Sequence, residues 1–339
     1  MTCFPKIRLD VLALGALAVV GACGGNPCIG GFCDRRMGDI GTKAEDLGYF
    51  LVTQRAEEAT AGNMVLGQSG PLDGNGRVAL DFHATHMARI TPGLTGVTVN
   101  TDGTRQTASE FPTADGRATS IGASVALGIT RGFKVGDTRV FGIDVLGNLT
   151  EYQGFGASDL HITADGTFGT GLGVRLGLLH ETHTLPGITY SVMKRWLPSL
   201  SFHSDPISDG NGGTATLGES DIGITVMSRR LGASKQFGAL GVTAGAGVDL
   251  YEGNGQTVGT ILPAVGIGNS ATRDSYFYTE RRNLFAGASW TLKPATIVAE
   301  VGRLSSQSDG GHMGNTFAGR TPEEPRTYVS IGVRIGTKP

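Results

Sequence analysis

The chain has 339 residues and sets 28 lysines and arginines against 30 aspartates and glutamates, a formal charge of −2. That balance, with no long basic run, excludes the electrostatic footprint of a nucleic-acid binder. Glycine fills 55 positions, roughly twice its ordinary share of about 7%, without collagen's period of three; a mean hydropathy of −0.01 is too low for a bundle of membrane helices.

The first predicted element is a targeting segment. Lys6 and Arg8 precede an unbroken apolar and glycine run from Val11 to Ala22. The run is too short to cross a bilayer as a helix, which takes about 20 residues, and matches the apolar core of a signal peptide, residues 1–22. Val20-Gly21-Ala22-Cys23 resembles the lipobox of bacterial lipoproteins, which implies acylation at Cys23; ordinary cleavage at or near Ala22 is the other reading. Cys3 leaves with the signal, and Cys23, Cys28 and Cys33 remain. If Cys23 carries lipid, Cys28 and Cys33 are left to form one local disulfide; otherwise one thiol is free. No His cluster or second Cys pair accompanies them as zinc would need, and four residues with Gly-Gly between, in place of two, do not suit a redox pair.

Residues 23–75 read as a periplasmic N-terminal segment. Within it Lys43–Ala61 has a helical pattern, with Leu47, Phe50 and Leu51 on one side and Lys43, Glu45, Glu57 and Glu58 elsewhere. Such a helix plugs or flanks a barrel, or serves as a plain linker; the linker is the simplest expectation.

After Gly76 the period becomes two. Val78, Leu80, Phe82 and Ala84 alternate with Ala79, Asp81, His83 and Thr85, and Ile121 to Ile129, Leu172 to Leu178, Leu240 to Leu250 and Val329 to Ile335 behave alike. Successive strand side chains point to opposite faces, so each stretch has one apolar face and one small or polar face. Links between the stretches alternate. Short ones fall at 132–138, 183–187, 235–238 and 293–295, and long ones at 91–116, 151–159, 204–220, 252–275 and 305–325. Tight turns at one end and long loops at the other characterise transmembrane barrels. The expected strands are 77–90, 118–131, 139–150, 160–182, 188–203, 221–234, 239–251, 276–292, 296–304 and 326–336. The fold class is therefore all-β, an antiparallel up-and-down transmembrane barrel of ten strands over residues 76–339. The count becomes twelve if the overlong fourth strand turns at Ala164–Thr167 and the fifth breaks at Pro198.

From about Gly76 to Gly336 the chain resembles bacterial outer-membrane barrel proteins of the porin-like kind. Its last strand, Thr327 to Ile335, is similar to the closing strand that such barrels present to their assembly machinery, although Gly336-Thr337-Lys338-Pro339 stands in place of a terminal aromatic. The resemblance implies export to the cell outer membrane, with lipid and the assembly machinery as partners. It leaves oligomeric state open.

By alternation Asp81, His83, Asp144, Asn148, Arg175, Thr225, Asp249, Glu300 and Arg334 face the interior among many glycines. Both signs occur, and mixed charges in a narrow barrel pair with one another. Trp196, Tyr190, Tyr251, Tyr276, Tyr278 and Tyr328 are candidates for an interfacial aromatic belt. The doublets Arg35-Arg36, Arg229-Arg230 and Arg281-Arg282 read as solvated or headgroup-level charges. No catalytic, cofactor or metal site is legible. His83-x-x-His86 and His180-x-x-His183 have odd spacing, which on a strand sends the two rings to opposite faces. No Gly-x-Ser-x-Gly elbow occurs, and the Asp-Gly-Asn-Gly runs complete no calcium loop. The expected role is passive exchange of small solutes or envelope architecture. The alternatives are a barrel enzyme acting on lipid or peptide, and a lipid-anchored soluble β protein that binds an apolar ligand or surface partner.

Overall fold

The computed structural model describes residues 35–62, 72, 76–101, 108–154, 159–292, 294–306 and 313–336. Ten long strands form the wall: β1 (Val78–Pro92), β2 (Thr113–Thr130), β3 (Gly142–Tyr152), β4 (Phe168–Leu179), β5 (Gly187–Ser204), β6 (Thr214–Phe237), β7 (Leu240–Leu262), β8 (Asn269–Leu292), β9 (Ala295–Ser306) and β10 (Arg326–Gly336). Each pairs antiparallel with the next, and β10 returns to β1 with Leu80 opposite Ile335 and His83 opposite Gly332. The sheet is a closed up-and-down barrel of ten, not twelve. Closure leaves no strand edge in need of a partner.

The two strained stretches resolve locally. The fourth expected strand divides at Asp165–Thr167 into β4 and a short strand, Leu160–Ala164, laid on the far end of β5. Around Pro198 the register of β5 against β6 slips, from Leu197 opposite Ile224 to Leu200 opposite Ile222. Proline has no amide hydrogen to give the ladder, so a bulge forms there. A second slip, beside Asp221 at a φ of 53°, restores the pairing.

Strands β6, β7 and β8 run well past their expected ends, so the long links expected at 204–220 and 252–275 shrink to 205–213 and 263–268. Glycine, asparagine and threonine in those stretches looked like loop, but they pair in register as a projecting sheet.

The outward face carries an apolar band. Phe82, Val333, Ile297, Trp290 and Leu240 follow one another across β1, β10, β9, β8 and β7, all exposed. Inside the wall, small residues stand beside bulky ones. Gly302 lies under the ring of Tyr328, and Gly247 leaves room for Arg230 to lie across the wall. This pairing of small with large accounts for much of the glycine excess.

Helix α1 (Arg35–Thr60) is inside the barrel. At 1.5 Å per residue its 26 residues span about 39 Å. Ile40, Leu47, Phe50 and Leu51 are fully buried, but so are Lys43, Glu57 and Glu58. The linker expectation gives way to the plug. A helix whose charged face meets fixed counter-charges in a wall is buried all round while keeping the sequence pattern of a surface helix.

Candidate functional site: the helix-filled lumen

The lumen has two differently built levels. At the long-link mouth the helix packs in an apolar core. Phe50 packs tilted against Phe317, with ring centroids 4.6 Å apart, and Phe317 stacks on Phe111 at 5.0 Å. Leu217, Ile222, Ile224, Val226 and Phe277 of the wall close on the same cluster. Polar contacts at this end run to the long links. Asp39 accepts the Asn100 amide at 3.0 Å, Asp46 accepts from the backbone and side chain of Asn315 at 2.9 and 2.7 Å, and Tyr49 donates to Glu323. Burial lifts the Asp46 carboxyl to about 6, against the pull of its Asn315 bonds. Burial also raises Glu219, on the part of β6 beyond the apolar band, to about 8, with the Thr257 bond opposing. Between helix and β8 a cavity of about 390 Å³ opens, lined among others by Glu45, Asp46, Tyr49, Arg273 and Asp274.

Deeper in, the helix ends in an ionic collar. Glu57 lies 2.5 Å from Arg281 of β8 and 3.2 Å from Arg326 of β10. Glu58 lies 2.6 Å from Arg89 of β1 and 3.3 Å from Arg55 of its own helix. Arg230 donates to both carboxylate oxygens of Asp249, at 2.6 and 2.9 Å, and to the Thr60 carbonyl at 3.2 Å. The hydroxyls of Thr60 and Tyr251 are 2.8 Å apart. Below the helix, toward the short-link mouth, the Leu72 amide donates to Asp144 at 3.0 Å, and the Gly76 amide bonds the Gly128 carbonyl at the same distance. The helix therefore has its N-terminal end among the long links, and its C-terminal end points to the mouth where β1 begins.

The interior residues read from the sequence fall as follows. Asp81, Asp144, Arg175, Asp249 and Glu300 are buried on the lumen side, with His83, Asn148 and Arg334 half-buried beside them. Asp144 pairs with Arg175 at 2.8 Å, and His83 Nδ1 lies 2.6 Å from Asp81. Arg334 stands opposite Asp81 in the ladder. The rest are not gathered into one site: Asp249 belongs to Arg230, and Glu300 accepts from Tyr328 at 3.3 Å. Thr225 is a correction. It faces outward opposite Trp196, because Ile222, Ile224 and Val226 turn inward onto the helix. Polar-inside parity fails where the lumen itself is an apolar core. Tyr251 and Tyr328 likewise leave the aromatic belt for the collar, both fully buried. His83 faces in and His86 out. Cys23, Cys28 and Cys33 lie outside the described residues.

Sequence reading missed the collar: Glu57, Glu58, Arg89, Arg230, Arg281 and Arg326. One signal was present. Two adjacent arginines on a strand cannot share a face, so each doublet had to send one guanidinium inward. Arg230 and Arg281 are those two, while Arg229 and Arg282 point out.

Fold and lumen together define the class: a closed ten-stranded antiparallel barrel occupied by a helix of its own chain. No family model and no curated protein matches this sequence. Among solved structures it is similar to Neisserial surface protein A (11% identity, TM-score 0.28, 77% of this chain and 99% of that one). It is also similar to the outer membrane protease OmpT from Escherichia coli (9% identity, TM-score 0.35, 77% and 97%). A third is the transport unit of the autotransporter AIDA-I from Escherichia coli (9% identity, TM-score 0.33, 86% and 99%). Likeness this loose says nothing of activity; the class rests on the chain's own pairing.

Proposed function

We propose that this chain is an outer-membrane barrel sealed by its own helix, serving envelope architecture and presentation of its N-terminal end rather than free solute exchange. The single observation that carries this reading is the burial of every residue of α1 from Phe50 to Thr60, with both apolar and ionic contacts to the wall. Lipid is the solvent of the outward apolar band, since exposed apolar surface that continuous is unstable in water. With long links outside, as is usual for such barrels, the N-terminal end of α1 lies at the external mouth. In this reading Arg35–Thr60, part of the expected periplasmic segment 23–75, fills the lumen. Export through a cleaved signal over residues 1–22, and handling of β10 by the barrel assembly machinery, complete the proposed route.

The test is cell fractionation with a heat-modifiability gel, followed by planar-bilayer recording. The purified chain should stay with detergent-extracted outer membrane and change mobility on boiling. It should show little steady conductance until the helix is destabilised. Large stable channels from the unaltered protein would overturn the sealed-barrel reading. A mature chain soluble without detergent would overturn the location.

A further inference from the structure

The outward rows of the strands do not all end alike. Moving from the apolar band toward the long-link mouth, the first charged outward residue is Lys194 on β5, Arg229 on β6, Arg282 on β8 and Arg303 on β9. Corresponding rows on β1, β3 and β10 end at His86, Glu151 and Thr327; the row on β7 reaches Glu252 first, and that on β2 reaches a lone cation, Arg117, on the other side of the barrel. The cations are neighbours on the surface. Arg229 is opposite Val248, which is opposite Arg282, so two strand spacings of roughly 4.8 Å separate them, about 10 Å in all. Arg303 is opposite Leu284, diagonal to Arg282, and Lys194 is opposite Met227, diagonal to Arg229. Directly below lie Leu231, Leu284 and Val301, all exposed and apolar.

All four cations are exposed, and among the described residues Arg229 and Arg303 have no carboxylate in ion-pair range. The nearest outward carboxylates, Glu252 on the intervening β7 and Glu280 on β8, stand farther from the apolar band. Lys194 sits over the ring of Trp196, 5.7 Å from its centroid, and indole favours the headgroup zone. A molecule whose chains lie on the band therefore meets cations before it meets anions.

Resting on the membrane reading above, we propose that the outward face of β5, β6, β8 and β9 binds the phosphates of an outer-leaflet glycolipid. Guanidinium groups take phosphate oxygens in a bidentate, charge-assisted geometry. Cations spread over about 10 Å suit a headgroup carrying more than one phosphate better than a single phosphodiester.

The experiment compares the folded barrel in neutral detergent with its R229Q/R282Q/R303Q variant. Binding of a bisphosphorylated lipid A is measured by thermophoresis, with dephosphorylated lipid A and phosphatidylglycerol as comparison ligands. The expected result is at least tenfold weaker lipid A binding in the triple variant and a strong salt dependence in the parent. K134Q/R139Q, which removes charge at the opposite mouth, should stay within twofold of the parent. Equal binding by parent and triple variant overturns the proposal, as does equal binding of the dephosphorylated lipid or of phosphatidylglycerol. The heat-modifiability gel on the same samples separates the two levels. A folded barrel indifferent to lipid A sinks only the phosphate site, whereas a chain soluble without detergent sinks the membrane reading beneath it.

Discussion

Replacing Glu57 by glutamine tests whether the collar holds the helix. The side chains of Glu57, Arg281 and Arg326 are 0%, 0% and 3% exposed, so neutralising the carboxylate leaves two buried guanidinium groups without their shared counter-charge. Removing one member of a buried pair costs about 3–5 kcal/mol. Here Arg281 keeps the carbonyls of Glu323 and Glu324, and Arg326 keeps the Gln54 side chain, which favours the lower end, about 3 kcal/mol. That is about two decades in the ratio of docked to undocked helix. A reporter cysteine at the fully buried Leu51, in a chain freed of its native cysteines, reads the ratio. When undocking and redocking are faster than the chemistry, the labelling rate follows the open population. The Glu57→Gln chain should therefore react with maleimide about 100-fold faster than its Leu51→Cys parent. Adding Arg326→Gln, which removes one of the stranded cations, should recover part of the difference. A labelling rate within threefold of the parent, with the barrel still folded on a gel, would refute the idea that ionic contacts latch the plug.

The same reporter gives a pH dependence. Asp46 and Glu219 titrate near 6 and 8 in the folded protein against 3.8 and 4.5 ordinarily, so folding favours their protonated forms. Their contribution is fully present below the lower values and is lost as pH rises through about 6 and then about 8, so labelling, taken relative to an exposed cysteine at the same pH, should accelerate from pH 4.5 to 8.5. Asp46→Asn should flatten the first part of that rise. Gly302→Leu places a side chain where the Tyr328 ring lies and breaks the Tyr328 bonds to Asn283 and Glu300; urea titration should show a loss of about 1–3 kcal/mol. Gly38→Cys has open space around it. In the chain without native cysteines, an impermeant maleimide should label it on intact cells, and should label Asp137→Cys at the other mouth only after permeabilisation. The opposite pattern would reverse the orientation. Finally, Glu58→Gln should lower the temperature at which the folded gel band disappears by more than Asp249→Asn does. Equal shifts would remove any special role for the β1–β10 seam.

Most of the wall was legible because alternation is a local property. A residue's face follows from its parity, and the ten strands, the interruption at Asp165–Thr167 and the bulge at Pro198 all follow from residues within a few positions. The helix was legible as a helix but not as a plug. Lys43, Glu57 and Glu58 look like a solvated face, and nothing nearby reveals that Arg89, Arg281 and Arg326 wait for two of them across the fold. Parity failed at Thr225 for a related reason, whereas Tyr251 shares the inward parity of Asp249 and only its assignment to the belt was wrong. Parity was read as polar inside and apolar outside, which holds only where lipid lies outside and a polar lumen inside. Beyond the apolar band the lumen is a conventional core, and polarity reverses across the wall at Ile222, Ile224 and Val226.

The collar's geometry bears on how the barrel closes. Successive strands are joined by their links, but β1 and β10 meet only when the ring is complete, so this seam is the one junction no turn supports. Adjacent glutamates of the helix reach one strand on each side of it, Glu57 to Arg326 of β10 and Glu58 to Arg89 of β1. By contrast Arg230 and Asp249 belong to β6 and β7, neighbours joined by the turn at Gly238. Separating the seam would pull Arg89 from Glu58 or Arg326 from Glu57 and leave a buried guanidinium behind, whereas opening the β6–β7 ladder separates one pair already tethered by covalent chain. An apolar plug would hold equally well against any part of the wall. Placing Glu57 and Glu58 at the seam makes docking depend on closure, and by reciprocity makes closure depend on docking. The helix is thus as much a part of the wall's continuity as the strands it lies against.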